Sequence, residues 1–89
     1  MSKWGMDMFK NKMPDGRNNL CGENIRAYRM AVLPRMSQRK LADRMQLLGI
    51  DLDKNAIQRI EAGKRFVTDI ELAAFAEIFS VSCDALLKQ

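Results

Sequence analysis

The stretch Ser37–Arg65 reads S-Q-R-K-L-A-D-R-M-Q-L-L-G-I-D-L-D-K-N-A-I-Q-R-I-E-A-G-K-R. Its apolar residues fall at helical spacing on either side of Gly49: Leu41, Met45 and Leu48 before it, Ile57 and Ile60 after it. The stretch therefore reads as two short helices joined by a glycine-containing connection, with these apolar positions facing a core. Gln38, Arg39, Lys54, Asn55, Gln58 and Arg59 lie between them and face outward, all with side chains able to bond bases or phosphates.

Helix boundaries are written in the residues around this pair. Ser37 is a suitable N-cap for the first of the two helices, which should run to about Leu48, and Gly49 suits the left-handed position just beyond it. The second begins at Asp53, or one turn earlier at Asp51, and stops before Gly63. Ala42 on the buried side leaves room for that helix to approach closely. Upstream, a helix is expected from Gly22 or Glu23 to Val32, with Ile25, Tyr28 and Val32 on one face and Pro34 ending it. Downstream, Thr68-Asp69-Ile70-Glu71 is a capping box, and Leu72, Phe75, Ala76 and Phe79 form a core stripe. Ser82 caps a short fifth helix carrying Leu86 and Leu87. There is no sustained strand pattern, so the fold class is all-α, with five helices.

Composition narrows the class. Eighty-nine residues make one domain, with no room for a second, ligand-sensing one. With 47% hydrophobic and 29% charged residues the chain should fold around a core. Its apolar runs are too short for a membrane span, and no signal-peptide pattern is seen, so a cytoplasmic protein is expected. Cys21 and Cys83 are expected as free thiols, and two cysteines without any histidine leave neither a metal site nor a cofactor to predict. An enzyme is the least expected class, since no phosphate loop or nucleophile-base arrangement is present.

Residues 1–20 differ from the rest. They combine turn signals (Gly5, Pro14-Asp15-Gly16, Asn18-Asn19) with the apolar cluster Trp4, Met6, Met8 and Phe9, and are read as an arm before a domain at 21–89. Three roles stay open for the arm: a mobile tail, a segment docking on the domain or on a partner chain, or a backbone-tracking element using Lys10, Lys12 and Arg17. Charge is uneven. Residues 1–34 carry six basic and three acidic groups, residues 35–65 eight and four, and residues 66–89 one and four. A basic segment suits a polyanion whose phosphates release counterions on binding, and it equally suits a solvated face.

Taken together, E-N-I-R-x-x-R at 23–29, S-Q-x-x-L-A at 37–42, A-I-x-R-I-E-A-G-K-R at 56–65 and T-D-I-E-L-x-x-F-A-E-I-F-S-V-S-x-x-x-L-L at 68–87 resemble the Xre/Cro/C1-type helix-turn-helix regulators, which include the lambdoid phage repressors. The resemblance covers about Gly22 to Leu87. It implies a five-helix lambda-repressor-like DNA-binding domain whose second and third helices are the helix-turn-helix. It also implies that Gln38 meets a phosphate and braces the recognition helix, that Lys54, Asn55, Gln58 and Arg59 reach base edges or flanking phosphates, and that Lys64 and Arg65 contact the DNA backbone. Arg29 and Glu61 match a buried or partly buried ion pair tying the first helix to the end of the third. Side-chain chemistry supports Asn55 and Arg59 for base readout, Lys54 and Gln58 for either task, and Gln38, Arg39, Lys64 and Arg65 for positioning.

The chain departs from the pattern twice. Ala42 precedes Ile57 by fifteen residues, against about ten in typical members of the motif. Helix two is therefore expected to be longer by a turn, with Gly49-Ile50-Asp51-Leu52 as a longer loop whose Ile50 and Leu52 tuck into the core. The connection Ala31 to Met36 is also longer than usual, and places Arg35 where it adds a phosphate contact. The expected function is a sequence-specific transcription regulator of double-stranded DNA. It would act as a homodimer on a near-palindromic site, pairing through Leu86 and Leu87. The sequence does not choose between a phage or mobile-element repressor and an antitoxin. The alternative is a protein-interaction module using the N-terminal arm.

Overall fold

Ser37, Asp53, Thr68 and Ser82 each turn a side-chain oxygen onto a backbone N–H at the start of a helix, and these caps divide the chain. The computed structural model describes residues 12–89. Among them are five helices and no strand: α1 (Gly22–Ala31), α2 (Gln38–Leu47), α3 (Lys54–Glu61), α4 (Asp69–Phe79) and α5 (Cys83–Leu87). The all-helical architecture expected from periodicity is the one observed. No helix among the described residues is long and apolar enough to cross a membrane.

The core follows from the apolar spacing. Ile25 of α1, Leu41 and Met45 of α2, Ile57 and Ile60 of α3, Phe75 of α4 and Leu86 of α5 are all fully buried together. Tyr28 and Phe79 close one side, their rings stacked with centroids 5.8 Å apart. The most extensive helix contact is between α2 and α3, with α1 packed against α3, α4 and α5. Small Ala42, buried at this contact, lets α2 and α3 approach.

Two core expectations need correction. Leu48 is 40% exposed, because α2 ends at Leu47 and Leu48 already belongs to its cap. Two residues of the loop reach the core as expected: Leu52 is buried and Ile50 packs against the cluster. That connection is held by its own backbone. Gly49, at φ +83°, donates to Gln46, Ile50 donates to Met45, and the Gln46 amide reaches the Leu52 carbonyl. Helix α2 ends within one residue of the expected Leu48, and residues 49–52 form the expected longer loop, hydrogen-bonded to the end of the helix. The second correction concerns Leu86. It lies inside the domain with no exposed surface, so of the leucine pair expected to join two copies only Leu87 reaches the exterior.

The chain before α1 is tied to the domain. Met13 and Arg17 close a turn, the Asn18 N–H donates to the Gly63 carbonyl, and the Arg17 guanidinium meets the Gln89 side chain. The Asn19 amide nitrogen donates to the carbonyls of Ile60 and Arg65, while its oxygen accepts from the Gly22 N–H. The domain boundary expected near residue 20 thus falls within a segment bonded to α3. The apolar cluster Trp4, Met6, Met8 and Phe9 and the interaction role considered for it lie outside the described residues. Gly22 marks the closest approach of α1 to α3: a Cβ there would land on the Ile60 carbonyl oxygen.

At α4 the capping box is complete, with Thr68 Oγ1 accepting from Glu71 N and Glu71 Oε1 accepting from Thr68 N. Thr68→Ala should lower stability by about 1 kcal/mol. A urea titration showing no shift of the midpoint would exclude a contribution from this cap.

Candidate nucleic-acid interface

Helix α3 is held by one face and shows the other. Ile57, Ile60 and Glu61 are buried, while Asp53 caps its start by accepting from the Ala56 N–H at 2.8 Å. Helical spacing then leaves Lys54, Asn55, Gln58 and Arg59 all exposed on the opposite side. None of these four side chains enters a salt bridge among the described residues.

The end of α3 is fixed by charge. Arg29 Nε lies 2.7 Å from Glu61 Oε2 and Arg29 Nη2 2.9 Å from Oε1, a bidentate pair whose side chains are 9% and 3% exposed. The pair extends in two directions. Arg29 Nη1 donates to the Met36 carbonyl at 3.0 Å, and Gln38 Nε2 donates to Glu61 Oε1 at 3.0 Å. Hydrogen bonding to Glu61 raises the Arg29 pKa above its ordinary value, against burial. Gln38 is accordingly half-buried, and its amide is committed to α3. The network joins α1, the connection before α2, the first residue of α2 and the last of α3.

Arg39 is exposed at the start of α2 and borders two clefts. One, of about 290 Å³, runs between α2 and the first turn of α3, with Asp43, Asp53, Lys54 and Asn55 in its lining. The other, of about 560 Å³, lies toward α1 and is lined by Arg26, Arg35, Arg39 and Lys54 around the already paired Arg29. The structure thus brings Gln38, Arg39, Lys54 and Asn55 to one place. Arg35 joins them as the longer connection suggested, and Arg26 joins them unannounced, because one arginine on the exposed face of α1 carries no signal of its own.

Lys64 and Arg65 follow α3 in the loop. Lys64 is exposed, with its N–H donating to the Arg59 carbonyl and its carbonyl accepting from Asn18. Arg65 is differently placed. Its guanidinium donates to both carboxylate oxygens of Glu71, at 3.0 and 3.2 Å, and to the Phe66 carbonyl. Burial alone would push the Glu71 carboxyl up, but these bonds and those from Thr68 outweigh it and hold it below its ordinary value. Arg65 is therefore bound to the start of α4, and its charge is locally balanced.

Both cysteines are free; burial pushes the Cys21 thiol up to about 11. Among the described residues no cluster of three or more His, Cys, Asp or Glu side chains is placed to hold a metal ion. Chemically, the exposed face of α3 offers donors and acceptors suited to base edges, with cations beside it suited to phosphates. Comparison of the chain with protein-family models, with curated proteins and with solved structures gives no match in any of the three.

Proposed function

We propose that residues 21–89 form a lambda-repressor-like domain with α2 and α3 as its helix-turn-helix, and that the protein is a sequence-specific, double-stranded DNA-binding transcription regulator. Helix α3 enters the major groove, whose width of about 12 Å admits one helix. Asn55 and Arg59 read bases, Lys54 and Gln58 serve bases or phosphates, and Arg39 and Lys64 position the domain on the backbone. Gln38 acts mainly by bracing Glu61, and Arg65 by fixing the loop to α4. Two copies bind a near-palindromic site.

One observation carries this reading. A short helix is held rigidly by a buried ion-pair network at its end while four adjacent polar side chains on its outer face point to solvent beside a cationic cleft. A solubilising surface needs charge, but it does not need a helix so firmly fixed from behind.

The test is enrichment from a pool of randomised duplexes, followed by affinity measurements on the winner. Wild type should enrich a two-fold symmetric sequence. Asn55→Ala should retain the fold and lose about 1–3 kcal/mol of discrimination at one base pair of each half-site. Failure of the wild-type protein to enrich any sequence would overturn the reading.

A further inference from the structure

The two clefts flanking the first turn of α3 differ in charge. The one toward α1 holds Arg26, Arg35, Arg39 and Lys54 with no carboxylate in its lining, whereas the other includes Asp43 and Asp53. Arg26, Arg35, Arg39 and Lys54 have no salt-bridge partner among the described residues, and Glu61, the nearest buried acid, is already taken by Arg29. Arg26 and Arg35 line this cleft alone, whereas Arg39 and Lys54 also border the one that holds Asp43 and Asp53, so the positive potential is greatest on the α1 side and attracts an anion there. Arg35 is also held in place. Its neighbour Met36 is 5% exposed and its carbonyl is bonded to Arg29, so the connection presents Arg35 at a fixed point.

The geometry points to this cleft as a clamp for the DNA backbone, in which Arg26 and Arg35 hold consecutive phosphates of the strand that flanks the bases met by α3. The inference rests on the proposed DNA-binding role and adds the path of the strand. In the other cleft Asp43 and Asp53 balance Arg39 and Lys54, whereas the cleft toward α1 holds cations without a carboxylate and draws the backbone to that side. The asymmetry therefore sets which way α3 lies along the groove. Guanidinium groups suit the task because their planar forks bond phosphate oxygens in pairs and are weakly hydrated.

The experiment compares wild type with Arg26→Gln combined with Arg35→Gln, on the duplex that wild type enriches and on a scrambled duplex, across a salt series. Both side chains are exposed, so the melting temperature should not change. The double variant should weaken both duplexes by the same factor and make the slope of log K against log salt shallower by about 1.8, for two phosphates. Its deficit should then shrink roughly tenfold between about 50 and 200 mM salt. A slope equal to that of wild type would overturn the clamp, as would a loss confined to the enriched sequence. Absence of any enriched sequence for wild type is seen before the variant is tested and removes the regulator role instead.

Discussion

Glu61→Ala should lower the stability of the domain by about 3–5 kcal/mol, because it leaves the Arg29 guanidinium buried without its counter-charge. Arginine has no neutral form to retreat to, and with a side chain 9% exposed it gains little from water. The loss also strands the Gln38 amide, whose acceptor is Glu61 Oε1. For a domain of this size each kcal/mol moves the melting temperature by about 4–8 °C. A fall of roughly 12–40 °C is therefore expected, read by circular dichroism. A melt within a few degrees of wild type would exclude a buried, uncompensated charge. Arg29→Met combined with Glu61→Leu should recover part of the loss, since two apolar side chains of similar volume remove the stranded charge while the Met36 carbonyl and the Gln38 amide still lose their partners. The double variant thereby separates the penalty of a stranded charge from damage to packing.

Gly22→Ala is the second large effect, and its sign is informative. Helix propensity alone favours alanine over glycine inside a helix by about 1 kcal/mol. The structure predicts the reverse. A Cβ at this position falls on the Ile60 carbonyl oxygen and within 2.9 Å of Asn19 Oδ1. The obstacle is backbone, and that carbonyl is already held by the Asn19 amide and by the Gly63 N–H. It cannot swing aside as a flexible side chain would. Relief requires α1 to move away from α3, at a cost of about 3 kcal/mol, the upper end for overpacking. A urea denaturation midpoint equal to or above that of wild type would show that the two helices are not in backbone contact.

How much of this was legible in the sequence varies with the kind of interaction. Caps were readable because they are local: Ser37, Asp53, Thr68 and Ser82 each act within three residues of themselves. The end of α4 was not, because Ser80 takes the left-handed conformation, at φ 56°, that glycine usually marks. The buried face of α3 followed from the spacing of Ile57 and Ile60, and Glu61 with Arg29 from the family resemblance. Leu48 was misplaced because periodicity continues through a helix end that only the glycine announces. Asn19 read as turn punctuation and is a buried hub, since its partners Ile60 and Arg65 lie more than forty positions away. Arg65 was expected at the DNA backbone with no sign of its tie to Glu71, because that tie spans a loop, where no helical spacing links the two. Of the candidate site, the exposed face of α3 was legible. The cleft needed Arg26, Arg35 and Arg39 to be brought together from three separate segments.

The division of α3 into two faces has an evolutionary consequence. The main anchors of the helix are the side chains of Asp53, Ile57, Ile60 and Glu61, with Ala56 partly buried beside them, and Lys54, Asn55, Gln58 and Arg59 are not among them. As far as folding is concerned, the outer four positions can therefore change independently of the inner four. A lineage carrying this scaffold can exchange one set of outer side chains for another in few mutational steps, without passing through an unfolded intermediate, and under the proposed role it would so acquire a new target while keeping the same body.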